Sequence, residues 1–120
     1  MESTLIIIKP DAVKNGHSSD IINRIGSLGY VAEIKSKKIS EIEAMELYCE
    51  HLNKPFFDKL VSFITSDRSY VIKASKENSV SEWRKDMDSI RRDFGTDQTY
   101  NAVHGSDSLE SSIRELQIFF

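Results

Sequence analysis

The sequence predicts an α/β chain of the α+β class, with a four-stranded antiparallel sheet covered by helices. Three observations predict it. Four short apolar runs have strand length, at residues 4–8, 30–34, 70–74 and 102–104. Stretches whose apolar residues recur at helical spacing separate them, and Gly and Pro punctuate the boundaries. The chain has 120 residues, 39% hydrophobic and 29% charged, which suits a single domain over residues 1–120 with one core.

Thr4 to Ile8 is β-branched and apolar, and it stops at Lys9-Pro10, where proline lacks an N–H and restrains its predecessor. A continuous apolar run of this length points to a strand buried on both faces. Asn15-Gly16 marks a turn. Ile21, Ile22, Ile25 and Leu28 then follow helical spacing, with Ser18 to Asp20 as cap candidates and Gly29 as a stop. Tyr30, Ala32 and Ile34 alternate with polar neighbours, giving a strand with one wetter face, and Lys35, Lys37 and Lys38 read as a solvated edge.

Ser40-Glu41-Ile42-Glu43 fits a capping box and opens a helix on which Ile42, Met45, Cys49 and Leu52 share a face. Lys54-Pro55 breaks it. Phe56, Phe57, Leu60, Val61 and Ile64 suggest another short helix, and Tyr70 to Ala74 a third strand. Ser79 to Asp88, with Trp83 and Arg84, reads as helical, and Lys85 to Asp93 as a charged connector. Ala102-Val103-His104 is a last strand, Ser106-Asp107-Ser108 a cap, and Leu109, Ile113 and Leu116 one side of a final helix. This alternation of strands and helices matches the ferredoxin-like split βαβ arrangement.

Composition excludes several classes. A net charge of −3 gives no general attraction to nucleic-acid backbones, so no specific nucleic acid is expected as partner. An RNA-binding module of the same fold needs aromatic residues on its strand surfaces, and Tyr70 to Ala74 offers no such pattern. Cys49 is the only cysteine, which rules out an intramolecular disulfide and a cysteine-based zinc site. No apolar run is long enough to span a membrane, and the first residues lack the pattern of a secretory signal, so the expectation is a cytoplasmic protein.

Of the three histidines, His17 falls in a turn and reads as exposed, and His51 lies near a helix end, where its charge suits the dipole. They are not at metal-ligand spacing, and no protein metal site is expected. His104 differs. A strand delivers it to Gly105, and a run of helix-starting residues follows, so its imidazole sits beside freed backbone and an N-terminus that favours phosphate. Taken alone it also reads as a lone histidine in a tight turn. A histidine that attacks phosphorus needs a neutral nitrogen, and imidazole with its ordinary pKa of roughly 6.5 is largely neutral at cytosolic pH. Its second nitrogen needs an acceptor, for which Glu115, with Ser106, is the candidate. Phosphoryl transfer also needs cations, and Lys9, Arg84 and Arg91 are available, though each taken singly reads as a surface charge.

Four segments, in order, carry a resemblance. They are Ile8-Lys9-Pro10-Asp11-Ala12-Val13, Tyr48 to Phe57, Ser89-Ile90-Arg91-Arg92-Asp93-Phe94, and Asn101 to Ser108. Together they resemble the nucleoside diphosphate kinases from Thr4 to Phe120. The resemblance implies transfer of the γ-phosphate of a nucleoside triphosphate to a nucleoside diphosphate by a ping-pong route through phosphohistidine, with Mg²⁺ carried on the nucleotide. It implies His104 as nucleophile, oriented by Glu115 and Ser106. Lys9, Arg84, Arg91 and Asn101 would hold phosphates and sugar, Tyr48 would stand beside the phosphates, Phe56 would stack on the base and Leu60 would flank it.

The connection from Arg84 to Arg91 is shorter than the family's loop and lacks its phosphate-contacting threonine, and Arg92 replaces a small residue. A more open site, weaker nucleotide binding, and a homodimer in preference to a hexamer are the expectations, with Arg92 supplying some of the missing charge. The alternative is a nucleotide-binding regulatory relative disabled by that shortening.

Overall fold

In the computed structural model, which describes residues 1–97 and 100–120, the N-terminal apolar run becomes β1 (Glu2–Ile8), an inner strand. Leu5, Ile6, Ile7 and Ile8 are fully buried because both faces of β1 are covered. Side chains alternate across a strand, so Ile6 and Ile8 enter one core while Leu5 and Ile7 enter another. The other strands are β2 (Val31–Lys38), β3 (Arg68–Lys76) and β4 (Val103–Gly105), in the order β2-β3-β1-β4. All pairings are antiparallel, and β4 meets β1 with His104 opposite Ile7 and Val103 opposite Ile8.

The helices are α1 (Pro10–Lys14), α2 (Ser18–Ser27), α3 (Glu41–Leu47), α4 (Phe57–Ile64), α5 (Ser79–Phe94) and α6 (Leu109–Phe119). The crossover helices α2 and α5 place Ile21, Ile25, Trp83, Met87 and Ile90 against Ile6 and Ile8. On the opposite face α3, α4 and α6 bring Ala44, Leu47, Phe57, Ile64 and Phe119 to Leu5 and Ile7. The result is the expected ferredoxin-like, four-stranded antiparallel sheet covered by helices. The capping box also forms, with Glu43 N–H donating to Ser40 Oγ at 3.1 Å and Ser40 N–H to Glu43 Oε1 at 2.9 Å.

Several elements differ from expectation. Lys85 to Asp93 is not a connector but the second half of α5, which runs unbroken for 16 residues. Trp83, Met87 and Ile90 keep helical spacing on its buried face, and of the charges that suggested a connector Lys85, Asp88, Arg92 and Asp93 face solvent while Asp86 and Arg91 are half-buried. Arg84 and Arg91 therefore lie two turns apart on one helix. α1 was not expected at all, although Pro10 at its first position is pre-set for a helix start. α2 starts without a side-chain cap, since Ser18 and Asp20 lie inside it, and His17 packs its half-buried ring 4.9 Å from Phe94 instead of standing in solvent.

Two predicted apolar stripes fail. Ile42, Met45, Cys49 and Leu52 are all exposed, because α3 ends at Leu47 and the chain tightens into a 3-10 turn at Cys49–His51. Ala44, Leu47 and Tyr48 take the buried side instead. On α6, Leu109 and Ile113 are exposed and only Leu116 reaches the core. Ser111, Ser112, Glu115 and Phe119 are the buried residues. The serines are tolerated there because they are bonded, Ser112 Oγ to Ser3 O at 2.6 Å and Ser111 Oγ to Glu50 Oε1 at 2.9 Å. β2 is exposed along nearly its whole length and not on one face only, as an edge strand of the sheet.

Candidate active site

β4 and α6 together set His104. The start of α6 is capped by Ser108 Oγ, which accepts from Ser111 N–H at 3.1 Å. The helix then folds back along the sheet and brings Glu115 to the imidazole. His104 Nε2 lies 2.8 Å from Glu115 Oε1, and Ser106 Oγ donates to the same oxygen at 2.8 Å. Glu115 is buried, which alone would raise its pKa. The hydrogen bond and charge of His104, then the Ser106 hydrogen bond and the charge of Arg114, 3.5 Å from Oε2, outweigh burial and hold the carboxyl below its ordinary value. An ionised Glu115 only accepts, so the Nε2 it faces carries a proton, and in the neutral imidazole Nδ1 keeps the lone pair.

Gly105 contributes space, not conformational freedom as expected. A Cβ there would stand 2.5 Å from Trp83 Cδ1, and the indole nitrogen donates to His104 O at 3.1 Å. The strand backbone at the histidine is thus held from α5 as well as from β1.

The cations converge from two elements. β1 carries Lys9 past Ile8 to Ala102, where Lys9 N–H donates to Ala102 O at 2.8 Å and Nζ donates to Asn101 Oδ1 at 2.8 Å. Burial and the nearby Arg91 lower the Lys9 amine to about 8, against a smaller opposing effect of Asp11. From α5, Arg91 donates Nε and Nη2 to Val103 O at 3.2 and 3.0 Å. Burial, then Arg84, lowers its pKa as well, opposed by Asp88, Tyr48 and Asp107. Arg84 sits further out, paired with Asp107 at 3.1 Å. Tyr48 is buried, its ring edge-on to the imidazole at 6.4 Å, and burial and Glu115 raise its pKa.

The structure thus gathers His104, Glu115, Ser106, Lys9, Asn101, Arg91 and Tyr48. It does not bring Phe56 or Leu60 to the histidine. Phe56 is exposed, and Leu60 packs at the margin of the second core. A line of rings joins the two regions, from His104 to Tyr48, from Tyr48 to His51 at 6.4 Å, and from His51 to Phe56 at 5.4 Å. His51 does fall at a helix end, as the last residue of the 3-10 turn, and its half-buried ring also packs within this line. Sequence reasoning also missed Asp11, Trp83 and Arg114, which touch the site's backbone or its carboxylate. The proline before Asp11 and the glycine beside His104 were the available signals. Arg92 is exposed and, with Arg91, Thr96 and Asn101, lines an open cleft of about 510 Å³.

An imidazole held at one nitrogen by a carboxylate, with buried Lys9 and half-buried Arg91 gathered on the adjoining backbone, fits a phosphoryl-transfer class of site. The nucleoside diphosphate kinase family model matches residues 2–120. Nucleoside diphosphate kinases of Histophilus somni (strain 2336) and Campylobacter curvus (strain 525.92) are 39% and 42% identical. Each alignment takes in 100% of this chain, with 93% and 96% of the relative, respectively. They spread the 120 residues over 131 positions, so the chain is shorter than these relatives within the match. The Aquifex aeolicus nucleoside diphosphate kinase structure superposes with a TM-score of 0.93 at 33% identity, covering 99% of this chain and 94% of that one. A Halobacterium salinarum nucleoside diphosphate kinase in complex with CDP gives 0.93 at 36%, covering 99% and 87%. The chain belongs to the nucleoside diphosphate kinase family, and so to the phosphotransferases.

Proposed function

We propose that His104 carries a phosphoryl group from nucleoside triphosphates to nucleoside diphosphates. The observation behind this reading is the shared Glu115 oxygen, which fixes Nε2 as a donor and leaves Nδ1 as nucleophile. In the first half-reaction the Nδ1 lone pair forms a bond to the γ-phosphorus as the bond to the β-bridging oxygen breaks, and the nucleoside diphosphate leaves with that electron pair. In the second, a terminal phosphate oxygen of another diphosphate attacks the phosphohistidine and the N–P bond breaks. Glu115 stabilises the imidazolium-like charge that builds during each passage.

Lys9 and Arg91 offer charge to the transferring oxygens, with Arg84 and Arg92 nearer the mouth. Asn101 and Tyr48 would contact sugar and phosphate, and Phe56 with Leu60 would receive the base. Among the described residues no group of three His, Cys, Asp or Glu gathers as a metal cage. A mainly cationic site fits Mg²⁺ that arrives on the nucleotide's own phosphates and neutralises part of their charge. A homodimer in preference to a hexamer, and a cytoplasmic setting, complete the proposal. The outer edge of β2, with Val31 and Ile34 exposed, is an unpaired sheet edge that suits a second copy.

Incubation with γ-labelled ATP tests the reading. Wild type should form an acid-labile, alkali-stable phosphoprotein that loses its label on addition of a nucleoside diphosphate. An unlabelled wild type, or equal labelling of His104→Ala, refutes it.

A further inference from the structure

We infer that Asp11 is a positioning residue for His104, acting through a strained turn at Ala102. Ala102 is fully buried and has φ of 74°, the left-handed region that a side chain with a Cβ rarely adopts. Val103 N–H donates to Asn101 O at 2.9 Å, so the chain reverses across this one residue. A three-residue turn closed in this way at positive φ is the rare, strained form of the γ-turn. Such a conformation persists only where its surroundings over-determine it.

The surroundings do so here. Lys9 N–H holds the Ala102 carbonyl at 2.8 Å, and Arg91 holds the next carbonyl, Val103 O. The remaining polar group of Ala102 is its buried N–H, and it donates to Asp11 Oδ2 at 3.1 Å. Without that acceptor the N–H would be buried and unpaired, and the turn would relax towards ordinary φ.

What the turn separates makes it matter. Asn101, before it, accepts from Lys9 Nζ, and His104 stands two residues after it. A change at Ala102 therefore shifts the histidine relative to the buried cation. Asp11 has a simpler reading, as an acidic residue in the first turn of α1. α1 has only five residues, however, and the second carboxylate oxygen, Oδ1, is buried with no partner. Burial raises the Asp11 pKa, opposed first by the Ala102 N–H. The site keeps a half-buried acid whose long-range hydrogen bond is to the strained turn.

The inference rests on His104 phosphorylation as proposed above, and single-turnover labelling by γ-labelled ATP separates the two. Asp11→Ala should slow labelling by about 10–100-fold, since displacements near 1 Å cost this much. Asp11→Asn, which keeps an acceptor oxygen, should recover most of the rate. Ala102→Gly combined with Asp11→Ala should also recover most of it, because glycine holds positive φ without an anchor. A purely structural Asp11 predicts a lower thermal midpoint with unchanged labelling below that midpoint, and no rescue by glycine. Either of those two results overturns the inference while leaving the functional reading intact. An unlabelled wild type sinks both. Should Asp11→Ala fail to fold, the double variant decides: near-normal labelling supports the inference, and folded but slow protein overturns it.

Discussion

The two ends of the ring line that runs from His104 to Phe56 are built in opposite ways. At His104 almost every polar atom is tied down: Glu115 by His104 and Ser106, Val103 O by Arg91, His104 O by Trp83, and Asn101 by Lys9. At Phe56 there is an exposed ring touching one histidine, at the head of a short helix. Chemistry on a phosphoryl group requires fixed geometry, because dipoles and charges must already point where charge develops. Contact with a base through a π-face requires little more than a flat surface. Under the proposed function, this contrast predicts exact recognition of phosphate and permissive recognition of bases.

The comparison breaks most visibly at Glu115. Glu115→Gln removes the carboxylate that fixes the imidazole tautomer and steadies its charge. We expect kcat to fall by roughly 10²–10⁴-fold, the range for loss of a proton-directing partner, with KM for nucleotide little changed. Steady-state kinetics would check this, and a loss confined to KM would place Glu115 in binding. At the other end, Phe56→Ala should raise KM by about 5–10-fold and leave kcat within about twofold, since stacking on a half-exposed ring lies at the low end of about 1–3 kcal/mol per base. A large fall in kcat would erase the distinction between the two regions.

The smallest effect expected is with pH. Lys9 is charged below about 8 and neutral above it in the free enzyme. Its attraction for phosphate is therefore present at lower pH and lost as pH rises, so kcat/KM for the triphosphate should bend down with an apparent pKa near 8. A profile flat to about 10, the ordinary range for lysine, would remove Lys9 from the phosphate site.

How much of this the sequence carried depends on the kind of interaction. β1 was legible because four consecutive apolar residues signal burial on both faces, and the α3 cap because Ser40 and Glu43 bond within one turn. The stripes on α3 and α6 misled, since exposed Ile42 and Ile113 look like core from spacing alone. What decides burial there is bonding across the fold, Ser112 to Ser3 and Glu115 to His104. α5 was cut short because exposed charges crowd its second half, where only Met87 and Ile90 are buried. At the site, the identities of the histidine, its carboxylate and the cations were readable, largely through resemblance. The Ala102 turn, the Trp83 contact against Gly105 and the Arg91 grip on Val103 were not, because each joins residues far apart in sequence through the backbone.

Which imidazole nitrogen of His104 takes the phosphoryl group is measured directly by phosphorus–nitrogen NMR of the phosphorylated protein with ¹⁵N-labelled histidine. Coupling of the phosphoryl group to Nδ1 of His104, with Nε2 still bearing its proton to Glu115, is the predicted result. Phosphorus on Nε2, or on a residue other than His104, would contradict the account.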